Sequence, residues 1–90
     1  MNTIKNKIAI ITGGAGALGS AMAKGLAQEG IKVAILGRTV SSVQTKVEEI
    51  KATGGEAIGL IADVLNRNEL EIAREEVIKK WGSIDILVNA

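Results

Sequence analysis

Apolar positions along the chain gather into four short runs: Lys7–Thr12 (KIAIIT), Lys32–Leu36 (KVAIL), Glu56–Ile61 (EAIGLI) and Ile84–Asn89 (IDILVN). Each run is rich in β-branched residues and nearly continuous rather than alternating. That pattern predicts strands covered on both faces of a parallel sheet. Three segments of helical length separate the runs. In the first, Leu18, Met22 and Leu26 recur at helical spacing; in the second, Val40, Val43, Val47 and Ile50 form a stripe that leaves Lys46, Glu48, Glu49 and Lys51 outside it. Leu70, Ala73, Val77 and Trp81 repeat the pattern in the third. Its start, Asn66-Arg67-Asn68-Glu69, places a capping asparagine three residues before a glutamate, and the three segments stop at Gly30, Gly54 and Gly82.

The alternation is βαβαβαβ, which predicts an α/β fold with helices on both faces of a parallel sheet joined by right-handed crossovers. The repeat interval of about two dozen residues is that of a βα unit rather than a solenoid repeat. No linker or low-complexity segment divides the chain. Ninety residues make one domain at most. An apolar content of 47% with a single Trp and no Phe or Tyr predicts an aliphatic core.

Charge and chemistry narrow the functional classes. Eleven Lys and Arg against ten Asp and Glu give a net charge of +1 without a block of either sign, so a nucleic-acid surface is not expected. The chain has neither Cys nor His, which removes disulfides, thiolate chemistry and the usual zinc sites. The opening residues carry too short an apolar run for a signal peptide or a membrane span, and a cytoplasmic protein with no membrane partner is expected. Ser20, Ser41, Ser42 and Ser83 read as polar groups of helices and turns, and the pairs Glu48-Glu49 and Glu75-Glu76 as solvated helix faces.

The densest signal is ITGGAGALGSAMAKG, from Ile11 to Gly25, at the junction of the first strand and the first helix. Gly14, Gly16 and Gly19 satisfy G-x-G-x-x-G, in which one glycine makes the turn, one lets backbone approach a pyrophosphate and one lets the helix pack closely on the strand. Unpaired N–H groups and the positive end of the helix dipole make that junction suited to a phosphate. A P-loop is excluded, because Ser20 rather than Lys follows Gly19.

With Thr12-Gly13 and Gly19 at the loop, Ala62-Asp63-Val64 after the third strand and Asp85-Ile86-Leu87-Val88-Asn89 at the fourth, the chain resembles the short-chain dehydrogenase/reductase family along its whole length. The resemblance implies an NAD(P)-binding Rossmann domain over residues 1–90, a doubly wound three-layer αβα arrangement with strand order 3-2-1-4. It also implies hydride transfer between nicotinamide and a small-molecule hydroxyl or carbonyl, and a homo-oligomer in the complete protein. Gly13 and the backbone of Ala15, Gly16, Ala17 and Leu18, with Gly19, would hold the pyrophosphate and adenosine ribose. Asp63 would accept from the adenine amino group with Val64 beside the ring, and Asn89 and Ala90 would border the adenosine.

Ala17 departs from the family, which usually has glycine there, while Gly16 stands one position earlier. The small residue after Asn89, together with GGAGALGSAMAKGLA, looks most like a sugar-acid branch of D-mannonate oxidoreductase type. The family's catalytic Ser, Tyr and Lys are not matched, and the chain contains no tyrosine. No catalytic residue is therefore expected here, and the chain reads as the N-terminal, cofactor-binding half of a reductase.

The end of the second strand decides the cofactor. An acid about 20 residues after the glycines would bond the 2′-hydroxyl of NAD, whereas Arg accommodates the 2′-phosphate of NADP. Gly37-Arg38-Thr39 contains no acid and offers the Arg38 guanidinium, so NADP is favoured over NAD. On the same rule, Gly37→Asp combined with loss of Arg38 is expected to turn the preference towards NAD. The missing acid argues against an S-adenosylmethionine-binding domain and, with Thr12-Gly13, against a flavoprotein. A non-catalytic nucleotide-binding module remains the alternative to an enzyme.

Overall fold

The computed structural model describes residues 6–13 and 15–89. Gly14 of the glycine motif and Ala90, placed beside the adenosine by resemblance, lie outside the described residues. The elements follow in the order β1 (Ile8–Thr12), α1 (Ala17–Gln28), β2 (Lys32–Gly37), α2 (Val40–Ala52), β3 (Ala57–Ile61), α3 (Arg67–Trp81) and β4 (Ile86–Asn89). The strands form one parallel sheet in the order β3-β2-β1-β4, with Ile10 of β1 opposite Ala34 of β2 and Leu87 of β4. Among the described residues, no helix is long and apolar enough to cross a membrane.

Alternation along the strands sends successive side chains to opposite faces, and each face carries its own core. On one face Ala9, Ile11, Val33, Ile35 and Ala57 pack with Ala23 and Ala27 of α1 and with Val43, Val47 and Ile50 of α2. On the other, Ile8, Ile10, Ala34, Leu36 and Leu60 pack with Ala73 and Val77 of α3. Two helices therefore lie on one side and the third on the other. The change of side comes with the crossover from β3 to β4, which carries the chain past β2 and β1.

Burial on both faces holds for the inner strands but not for the outer ones. Every residue of β1 is buried, as are Val33, Ala34, Ile35 and Leu36 of β2, whereas Gly59 and Ile61 of β3 and Leu87 and Asn89 of β4 are exposed. An edge strand lacks a neighbour on one side, so a continuous apolar run does not by itself ensure cover. The first helix also departs from its predicted stripe. Leu18 and Met22 are exposed and Leu26 only partly buried, while Gly19, Ser20, Ala23 and Ala27 face the sheet. Small side chains line that face, and the bulkier Leu18 and Met22 lie on the part of the helix turned to solvent.

The helix ends follow their local chemistry. Asn66 caps α3, its side-chain oxygen accepting from Glu69 N at 3.1 Å, and Gly82 closes the helix at φ 92°, a left-handed conformation costly for residues with a Cβ. Gly30 and Gly54 stand just beyond the C-caps Glu29 and Thr53. Between α1 and α2, the Lys24 ammonium lies 2.6 Å from Glu49, with Lys46 at 3.6 Å. The hydrogen bond from Lys24, aided by the charges of Lys24 and Lys46, holds the Glu49 carboxyl below its ordinary range.

Asp85 joins β4 to the start of β1 through two bonds. Its carboxylate accepts from Ile8 N at 2.9 Å, and its own N–H donates to the Ile8 carbonyl at 2.8 Å. Replacing Asp85 with Ala leaves the Ile8 N–H without this acceptor. The expected loss is about 1–2 kcal/mol, read as a lower urea midpoint with an unchanged slope. An unchanged midpoint would show that water serves the Ile8 N–H equally well.

Candidate functional site

The C-terminal ends of β1, β2 and β3 open onto one cleft of about 370 Å³, the position where open parallel sheets bind ligands. Its lining joins Gly13 after β1, Ala15 and Gly16 before α1, Leu36 and Gly37 at the end of β2, Arg38 and Thr39 in the next turn, Ser42 in α2, and Ala62 and Val64 after β3. Backbone bonds beyond the strands hold these ends together. Gly13 N donates to the Leu36 carbonyl at 3.0 Å and Ala62 N to the Gly37 carbonyl at 2.9 Å. Gly13 adopts φ 70°, which turns the chain out of β1 at a position where a side chain would be strained.

Two helix N-termini face this cleft, and neither is capped by its own side chains. Gly16 at the N-cap of α1 has none to offer, and the Thr39 side chain at the N-cap of α2 makes no capping bond. Their first-turn N–H groups thus keep donor capacity for an anion. At α3 the Asn66 side chain takes up that capacity itself. Among the described residues beyond its chain neighbours, a Cβ on Gly16 would come no closer than 3.4 Å, to the Gly13 carbonyl, and Gly16 itself lines the cleft. Arg38 is exposed on the rim and has no ion-pair partner among the described residues.

Of the residues singled out from sequence, Gly13, Ala15, Gly16, Gly37, Arg38, Thr39 and Val64 are brought together here. Ala17 and Leu18 are exposed in the first turn of α1, and Gly19 is buried beneath it against the sheet. Asp63 sits at the cleft's border in a turn. Its Oδ1 accepts from Leu65 N at 2.9 Å, and its own N–H donates to Glu69 Oε1 at 3.0 Å. The Glu69 side chain thus reaches past the cap to Asp63 rather than back to Asn66. Asn89 lies apart from this cleft. Its side-chain oxygen accepts from the Thr12 hydroxyl at 2.8 Å, and it borders a second groove of about 400 Å³ with Ile10, Leu70, Ile84 and Leu87.

Leu36, Ala62 and Ser42 also line the cleft and were not expected from sequence. Leu36 and Ala62 flank expected residues, so neighbourhood alone could have found them. Ser42 could have been placed by counting one turn on from Thr39, since a residue in the first turn of α2 shares the end that faces the cleft.

Comparison with known proteins gives the family and supports the fold. The short chain dehydrogenase family model matches residues 7–90. An uncharacterized oxidoreductase of Bacillus subtilis, UxuB, is 50% identical over 86 residues, which cover 96% of this chain and 31% of that protein. The crystal structure of L-sorbose reductase from Gluconobacter frateurii, with NADPH and L-sorbose, superposes with a TM-score of 0.93 at 30% identity, covering 100% of this chain and 35% of that one. A Haemophilus influenza protein described as a D-mannonate oxidoreductase, with NAD bound, gives 0.89 at 32% identity, covering 93% and 30%. The chain spans about a third of the length of these relatives. With its strand order, its glycine turn and a family match over nearly all of its residues, the chain belongs to the short chain dehydrogenase family.

Proposed function

We propose that these residues are the dinucleotide-binding half of an NAD(P)-dependent oxidoreductase, one that interconverts a small-molecule alcohol and its carbonyl by hydride transfer. The observation that carries the reading is the convergence of two helix N-termini without side-chain caps, at Gly16 and Thr39, on one cleft with Arg38 at its rim. Gly13, Ala15 and Gly16, with the first-turn N–H groups of Ala17 and Leu18, would take the pyrophosphate and adjoining ribose, and Gly19 would keep α1 close to β1. Val64 would lie against the adenine, Asp63 would accept from its amino group, and Asn89 would hold β4 in place through Thr12.

The nicotinamide supplies a hydride acceptor or donor when bound. The chain's own residues bind and orient it, and the proton step on the substrate belongs to residues outside these ninety, which include no tyrosine. A sugar acid is the substrate class that the Haemophilus influenza neighbour's description favours. A cytoplasmic location and assembly into a homo-oligomer belong to the same proposal. Exposed Ile72 and Ile78 on α3 and Leu87 on β4 offer apolar surface for such contacts.

Arg38 favours NADP, because a planar guanidinium pairs well with a 2′-phosphate and no acid stands at residues 37–39 to receive a 2′-hydroxyl. Neighbours with NADPH and with NAD both superpose on this chain, so the preference rests on the rim.

Two substitutions in the complete protein test this reading. Gly16→Val adds bulk to the cleft lining at φ −79°, which valine tolerates, so titration with NADPH and NADH should show binding lost while circular dichroism stays native. Binding that survives would remove the cleft from consideration. Arg38→Ala should weaken NADPH by roughly 1.5–3 kcal/mol, the scale of hydrogen bonds to a charged group, and leave NADH nearly unchanged. Equal weakening of both, or of neither, would remove the support for NADP.

A further inference from the structure

The last residue of β2 is glycine for a reason that lies behind it rather than in the cleft. A Cβ on Gly37 would stand 2.9 Å from Cγ2 of Val43 and 3.5 Å from the Ala15 Cβ, the first distance being shorter than real side chains adopt. Val43 fills the room that two glycines leave: its other methyl, Cγ1, lies 2.6 Å from where a Cβ on Gly59 of β3 would be, and the side chain is 2% exposed. A β-branched residue in a helix is confined to one favoured rotamer, so Cγ2 moves away from Gly37 only by leaving that rotamer or by shifting α2. Val43 N also donates to the Thr39 carbonyl at 3.1 Å, closing the first turn of α2, so the same residue sets where that N-terminus stands at the cleft.

This bears on cofactor choice, and it rests on the dinucleotide reading above. The carboxylate that would receive a 2′-hydroxyl belongs at the end of the second strand, and there any side chain meets Val43. We propose that Val43 is a specificity-determining positioning residue: by filling the space over Gly37 it keeps a carboxylate off the end of β2 and leaves the rim to Arg38, Thr39 and Ser42. The exchange expected from sequence, Gly37→Asp with loss of Arg38, therefore fails unless Val43 is trimmed as well.

The test compares Gly37→Asp, Val43→Ala and the double variant in the complete protein, by melting temperature without ligand and by dissociation constants for NADPH and NADH. Gly37→Asp alone should melt several degrees lower and weaken both dinucleotides, because α2 is pushed from its seat. Val43→Ala alone should also melt lower, from the cavity it leaves, with the NADPH-to-NADH ratio unchanged. The double variant should melt well above the sum of the two losses and move the ratio towards NADH by about tenfold or more. Additive melting losses, or a Gly37→Asp protein that melts like the parent and already prefers NADH, would overturn the proposal while leaving the cofactor reading intact. A parent protein that binds neither dinucleotide would overturn the cofactor reading and the specificity claim with it.

Discussion

Close approach of helices to the sheet is the constraint on which the arrangement depends. Gly19, Ala23 and Ala27 let α1 lie near the strands, and Val43 of α2 fills the space left open by the absent side chains of Gly37 and Gly59. Gly55 continues the theme between α2 and α1, where a Cβ would meet Ile50 Cγ2 at 2.8 Å and the Ala27 Cβ at 3.2 Å. Aliphatic packing of this kind has little slack, because protein interiors are filled at crystal-like density. Where the helices begin is thus set by where their small residues and glycine partners fall.

The consequence is chemical. Both helices on that face start at the C-terminal ends of the strands, and both leave first-turn N–H groups without side-chain caps beside the cleft. On the opposite face α3 is capped by Asn66, and Glu69 orders the turn through Asp63. Donor capacity is concentrated where the lining is small and the rim carries Arg38, and it is used up locally where no ligand is expected. The second groove, near Asn89 and Leu87, is also lined mainly by apolar side chains; its polar members Thr12 and Asn89 are bonded to one another, and Arg74 bonds to Glu71.

Much of this could be read from sequence because it is local. The four apolar runs, the glycines that end the helices and the Asn66 cap each depend on a few neighbouring residues, and each stands where the pattern put it. The glycine loop was legible from its own spacing, and the strand order, which came with the family resemblance, agrees with the sheet observed. What escaped the sequence depends on distance between elements. A stripe of Leu18, Met22 and Leu26 looks like a buried face until Gly19, Ser20, Ala23 and Ala27 are seen to face the sheet in its place. Ser42 looks like an ordinary helix polar group until α2 is seen to begin at the cleft. Gly37 reads as a missing acid, and only the position of Val43 shows that an acid has no room there.

The central claim is that the two uncapped helix N-termini, and not the capped one, receive the dinucleotide. Backbone amide resonances followed during titration of the complete protein with NADPH test it directly. The account predicts that amides from Ala15 to Leu18 and from Arg38 to Ser42 shift together with Val64, while those of Arg67 to Leu70 at the start of α3 stay in place. Shifts confined to α3, or spread evenly over the three helix starts, would contradict it.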